Sequence, residues 1–287
     1  MSRIKIMTDS GSDILAREEM DYGIQVIPFP VAFGDKTYLS RVDFDNQDFY
    51  KLLEASEELP TTSQITVYQY GEYFEALYRE GYTHVINVTI NGEGSGTYNS
   101  ACLAAQMFFE SHPEAKDTFF IHNVDGRTYS YGYGYAVAEA ARMAKAGKEA
   151  EEILDFLRDW LEHCVIYFVP FTLKYAARSG RIPSAAAFVG ELVGLKPVMR
   201  IEDGVIQTND KVRGEKKALA MMISKTASEM KPGTPYVVMY GSRPELGDQL
   251  EKAMVAAVGY PPVNKLSVGA VISINSGPDV AGILFRT

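Results

Sequence analysis

Cysteine is scarce in this chain and histidine little less so, with two of the first and four of the second in 287 residues. Cys102 and Cys164 each sit in an apolar run and read as buried thiols. Such a pair makes no disulfide framework, which fits a reducing compartment. His84, His112, His122 and His163 show neither metal-ligand spacing nor pairing with a serine, so each reads as structural. No run of about 18 apolar residues occurs, so no membrane span is expected. The Ile4-Lys5-Ile6-Met7 stretch is a short strand rather than the apolar core of a signal peptide, and a cytoplasmic location is expected. Positive charge is in deficit: 28 Lys and Arg stand against 37 Asp and Glu, for a net charge of −9. Nucleic acid is thereby excluded as the main partner, because phosphate contacts need a basic surface. A G-x-x-x-x-G-K-[ST] phosphate loop is also missing.

Glycine and hydroxyl residues cluster instead at Asn91-Gly92-Glu93-Gly94-Ser95-Gly96-Thr97-Tyr98-Asn99-Ser100. A strand-like run, His84 to Ile90, precedes this stretch, and a helix-like run, Ser100 to Phe109, follows it. Two readings fit. Ser and Thr before a helix serve as caps. Alternatively, unpaired amides and the helix dipole receive an anion there, with glycines admitting the ligand and hydroxyls donating to it. Ser95 has Glu93 and Thr97 two residues to either side, so it is not a G-x-S-x-G nucleophile elbow. Asp9, Asp13 and Asp125 lie where strands end and read as helix caps rather than metal ligands. Hydroxyls and amides without a base bind an anion and leave it unchanged. No catalytic residue, metal or cofactor is expected.

Strands at Arg3–Thr8, 84–90 and Thr118–Val124 alternate with helical patterns through the first half. That alternation argues for an α/β fold, with a mostly parallel, Rossmann-like sheet covered by helices on both faces. Cys164 to Pro170 reads as the strand leading into a second α/β domain, dividing the chain into 1–163 and 164–287. Further on, Ser184 to Leu195 reads as an apolar helix that is buried or lines an apolar cavity. Asp203-Gly204 signals a hairpin, Lys211 to Met230 a helix, and Val271 to Ser273 a strand entering the turn Asn275-Ser276-Gly277-Pro278. From Lys174 to Lys217 nine basic residues face five acidic ones, against the trend of the whole chain. This stretch is either a solvated face or a docking surface for an acidic partner, with Arg178, Arg181, Lys211 and Arg213 as the docking residues.

Taken together, Thr8-Asp9-Ser10, Pro60-Thr61-Thr62-Ser63-Gln64, Ser95-Gly96-Thr97-Tyr98, Ser179-Gly180-Arg181-Ile182, Leu195-Lys196-Pro197, Lys211-Val212-Arg213 with Lys216-Lys217-Ala218, and Ser276-Gly277-Pro278 resemble the DegV family. Its members are fatty-acid-binding subunits of bacterial fatty acid kinase systems. The resemblance runs nearly end to end. It implies a two-domain α/β fold holding one long-chain fatty acid, such as palmitate, in a tunnel between the domains. It further implies a carboxylate held by Thr62 and Ser95, with Thr61, Ser63, Gly96, Asn91 and Asn275 as further ligand-binding positions. An ATP-dependent fatty acid kinase is the implied partner and carries the chemistry. The alternative is a small-molecule phosphotransferase or hydrolase using the same anion turn.

The chain departs from the family pattern at three places. Asn91-Gly92 replaces serines, Asn275 replaces a histidine, and Asp125-Gly126 replaces Asp-Ser. Asparagine donates hydrogen bonds but takes up no proton at neutral pH, so the head-group site is rebuilt. About 14 methylenes of a C16 tail at ~0.8 kcal/mol each give a gross ~11 kcal/mol on burial. A charge-assisted hydrogen bond contributes about 1.5–3 kcal/mol. The tail therefore dominates affinity and the head group sets register.

Overall fold

A computed structural model describes residues 2–56, 58–182 and 194–287. The chain divides into two compact units, residues 1–30 with 63–162, and residues 31–62 with 163–287.

In the first unit a parallel sheet has the order β2 (Gln25–Ile27), β1 (Ile4–Asp9), β6 (His84–Thr89), β7 (Phe120–Asp125). β6 lies inside the sheet, and every residue of it after His84 is buried. That matches its near-continuous apolar sequence, because an interior parallel strand is covered on both faces. α3 (Val67–Arg79) starts at a reciprocal cap. Thr66 Oγ1 accepts from Gln69 N at 3.2 Å, and Thr66 N donates to Gln69 Oε1 at 3.0 Å. α4 (Thr97–Ser111) follows the glycine-rich loop and packs against α3 and β7. α5 (Tyr131–Lys145) packs against β1, and α6 (Ala150–His163) ends at the edge of the unit. α1 (Ala16–Tyr22) rests on α5.

A six-stranded mixed sheet organises the second unit, in the order β10 (Val205–Arg213), β9 (Leu195–Glu202), β8 (Cys164–Pro170), β13 (Val280–Arg286), β11 (Val237–Tyr240), β12 (Asn264–Ser267). All seven residues of β8 are buried. α8 (Glu215–Glu229) and α9 (Pro244–Val258) cover the sheet, and Val165, Tyr167, Met222, Leu250 and Ile283 share one core with them. A small sheet, β4 (Lys36–Leu39), β3 (Pro30–Phe33), β5 (Thr61–Thr62), and helix α2 (Asn46–Ala55) form a second core in this unit. There Val31, Phe49 and Tyr50 meet Ala270 and Ile274 of α10 (Ala270–Ser276). α7 (Leu173–Ser179) also packs on α10.

The sequence placed all of 1–163 in one domain, whereas residues 31–62 group with 163–287. The aromatic residues of 31–62 find their partner in α10, more than 200 residues away, and periodicity carries no information at that range. The strand expected at Val271–Ser273 is a helix. Its Val-Ile pattern favours a strand, but Ser273 N donates to Gly269 O at 2.9 Å and the apolar side chains pack on α2. The helix expected from Lys211 begins only at Glu215, after Gly214 at φ 90°, so Lys211 and Arg213 belong to strand β10. The Asp203-Gly204 hairpin forms between β9 and β10, with positive φ at both residues. The apolar helix expected over Ser184–Leu195 lies outside the described residues, apart from Gly194, in a turn at φ 90°, and Leu195, which begins β9. Cys102 is only half-buried, while Cys164 is buried, and neither is in a disulfide.

Candidate functional site

Hydroxyls and aspartate carboxylates organise the carboxyl end of the parallel sheet. The loop between β6 and α4 closes on Asn91, whose carbonyl accepts from Gly94 N and Ser95 N, each at 3.1 Å. Gly92 N donates to Asp125 Oδ1 at 2.8 Å, Glu93 N to Asn91 Oδ1 at 3.4 Å, and Thr97 N to Ser95 Oγ at 3.3 Å. The amides at 92, 93, 94, 95 and 97 are thus all satisfied within the protein, and they do not form the open anion cradle that the glycine spacing suggests. The N-cap of α4 is Gly96, and Ser95 Oγ just before it accepts from the first amide of the helix.

The Ser95 hydroxyl is the group left over. Ser95 Oγ lies 2.9 Å from Thr97 Oγ1, and Thr97 is fully buried. Either hydroxyl can donate in that pair, and Thr97 Oγ1 also accepts the Ile65 N–H at 3.4 Å. Ser95 Oγ accepts from Thr97 N, and when Thr97 also donates its hydroxyl proton, the Ser95 proton is available to an acceptor-only ligand. Its hydrogen bonds run to Thr97 and not to a histidine. His84 sits at the amino end of β6 and His112 beyond the far end of α4, more than four turns from the loop. Among the described residues, the hydrogen bonds of this hydroxyl run only to Thr97.

The Gln64 side chain lies close over Gly96. A Cβ there would lie 2.1 Å from Gln64 Oε1, and Gln64 Nε2 donates to Ser100 Oγ at 3.1 Å. Gln64 thus lies across the first turn of α4. Asn91 is buried and its Nδ2 donates to Tyr129 OH at 2.9 Å, so it organises the loop.

Asp9, at the end of β1, is fully buried. Its carboxylate accepts from Tyr133 OH at 2.6 Å, Ile90 N at 2.7 Å and Gly11 N at 2.9 Å. Burial pushes its pKa up to about 6, against the opposing pull of these hydrogen bonds. The cap reading of Asp9 holds for Gly11, but the reach to Ile90 and Tyr133 was not legible in the sequence. Asp13 accepts from Ser130 Oγ at 2.5 Å. Among the described residues, no group of three or more His, Cys, Asp or Glu side chains could hold a metal ion.

The second unit carries a pocket of about 280 Å³. Thr61 and Thr62 line it from β5, Arg178 from α7, Arg181 from the turn after α7, and Asn275 from α10. β5 is held extended by pairing with β3, Val31 opposite Thr62 and Ala32 opposite Thr61. One amide hydrogen of Asn275 goes to Val271 O at 2.8 Å, leaving the other to the pocket. The division between the units falls between Thr62 and Ser63, and Ser63 N donates to Pro30 O at 3.2 Å in the first unit. The sequence grouped Arg178 and Arg181 with Lys211 and Arg213 on one face. Arg178 and Arg181 line the pocket, whereas Lys211 and Arg213 are exposed on the edge strand β10. Two further basic residues of that stretch face inward. Lys196 Nζ donates to Phe171 O at 2.6 Å, and Arg200 is held by Glu202, Glu229 and Tyr167.

The chain was compared with known proteins. Residues 3–287 match the family model described as an uncharacterised protein of the DegV family. A DegV domain-containing protein of Clostridium acetobutylicum is 32% identical over 291 residues, covering 99% of each chain. Among solved structures, a DegV family protein of Thermus thermophilus, described by its fatty acid binding, superposes with a TM-score of 0.86 at 28% identity, over 99% of this chain and 100% of that one. DegV of Bacillus subtilis, described as a fatty acid binding protein, gives a TM-score of 0.84 at 27% identity over 100% of both chains. The family match over residues 3–287 and the near-full-length similarity to these relatives agree with the α/β architecture, and the chain belongs to the DegV family.

Proposed function

We propose that this protein binds one long-chain fatty acid and presents it to a partner, an ATP-dependent fatty acid kinase, without itself performing the chemistry. The observation that carries this reading is the Ser95 hydroxyl at the first turn of α4, paired with the Thr97 hydroxyl at 2.9 Å and able to turn its proton to a ligand when Thr97 donates. A carboxylate is an acceptor-only anion and suits such a donor. The α4 amino terminus adds favourable partial charge. Near-full-length similarity to proteins described as fatty-acid-binding in Thermus thermophilus and Bacillus subtilis supports the ligand class.

Thr62, Thr61 and Asn275 are proposed as ligand-facing polar groups of the second unit's pocket, where Arg178 and Arg181 supply positive charge. Lys211 and Arg213 on β10 are proposed to meet the partner. Lysine on an edge strand also discourages strand addition, so the docking role needs its own test. Two cysteines outside any disulfide fit a reducing, cytoplasmic setting.

The test uses delipidated protein, palmitate and ATP. The isolated chain is expected to take up one palmitate and leave ATP intact, and phosphate transfer is expected only once a fatty acid kinase subunit is added. ATP turnover by the chain alone would support the phosphotransferase alternative instead.

A further inference from the structure

We propose that Asp9 and Asp125 are positioning residues that aim the Ser95 hydroxyl, gripping the loop after β6 from the two strands that flank it. The proposal rests on the reading of Ser95 as a head-group donor. β6 lies between β1 and β7, and each neighbour ends in an aspartate. Asp9 Oδ2 accepts from Ile90 N at 2.7 Å, and Asp125 Oδ1 accepts from Gly92 N at 2.8 Å. Between those two residues, Asn91 N donates to Thr128 O at 3.2 Å. Three successive peptides leaving β6 are therefore fixed from both sides of the strand.

The grip passes on to Ser95. The Asn91 carbonyl, held between the two anchored peptides, accepts from Gly94 N and Ser95 N. The carboxylates are themselves oriented. Asp9 also accepts from Gly11 N and Tyr133 OH, and Asp125 Oδ1 also accepts from Arg127 N at 3.0 Å. A Cβ at position 92 would lie 2.7 Å from Asp125 Oδ2, so glycine is what lets that carboxylate approach. Hydrogen bonds to a charged acceptor are stronger than neutral ones, which suits a device that must hold a loop still. Removing one carboxylate frees a backbone donor and loosens the donor oxygen, while the binding of an acyl tail is left alone.

The test separates head from tail by comparing palmitate with methyl palmitate, which keeps the chain and removes the charge. Binding of each to the delipidated full chain is measured by calorimetry, with folding followed by circular dichroism. The wild type is expected to prefer palmitate by about tenfold or more. Asp125→Ala is expected to reduce that preference to about threefold or less, with methyl palmitate affinity within about twofold of wild type. Asp125→Asn, whose amide oxygen still accepts from Gly92, is expected to restore most of the preference. Should Asp125→Ala not fold, Asp125→Ser retains a small polar turn residue and is expected to show the same loss. An unchanged preference in the alanine or serine variant, or equal weakening of both ligands, overturns the positioning role. A wild type that binds both ligands alike overturns the head-group reading, and the positioning role with it.

Discussion

Ser95 Oγ and Thr97 Oγ1 lie 2.9 Å apart at the start of α4, with Ile65 N donating to the threonine. On the proposed reading Thr97 donates and Ser95 turns its proton to the ligand. Ser95→Ala should therefore weaken palmitate binding by roughly 10- to 100-fold, the worth of one charge-assisted hydrogen bond. Thr97→Val should weaken it less and should also cost about 1 kcal/mol of stability through the lost Ile65 contact. Calorimetric titration with palmitate and urea denaturation together check both.

In the second unit, Thr62 lines the pocket with Arg178 and Arg181. Thr62→Ala is expected to weaken palmitate by a factor similar to that of Ser95→Ala. A double variant reports whether the two losses add. Additive losses mean independent contacts, and a smaller combined loss means one shared group.

Asp9 titrates with a sign that can be worked out. Burial raises its pKa from 3.8 to about 6, so the folded state holds that proton more tightly than the unfolded chain. Its contribution to stability is greatest below pH ~4, falls as pH rises toward 6, and is flat above, a change of about 3 kcal/mol. The charged form at neutral pH depends on its donors. Tyr133→Phe removes a 2.6 Å hydrogen bond and should cost about 1.5–3 kcal/mol at pH 7. It should cost less at pH 4, where Asp9 is neutral. Chemical denaturation of both proteins across that range is the measurement.

His84 and His122 respond the other way. His84 Nδ1 and His122 Nε2 are 3.2 Å apart, and burial lowers the pKa of both. The neutral forms are favoured in the fold. Stability from this pair is present above pH 6.5 and is lost as pH falls below it. His122→Gln should flatten that part of the profile.

The loop and helix that carry Ser95 could be read directly from residues 84–109, because a strand, glycines, hydroxyls and a helix lie consecutively in the chain. The hairpin at Asp203-Gly204 was legible for the same local reason. What stayed hidden depends on distance along the chain. Asp9 reaches Ile90 across 81 residues, and His84 meets His122 only because β6 and β7 run parallel in a particular register. Satisfaction of the loop amides was hidden too, since Asp125 reaches Gly92 from the next strand. Residues 31–62 join the second unit through aromatic packing on α10, whose own sequence favours a strand.

Native mass spectrometry of the protein purified without added lipid tests the central claim most directly. The expected spectrum shows the chain carrying one long-chain fatty acid, lost on delipidation and regained with palmitate. A chain that carries no acyl ligand and takes up none would contradict the account.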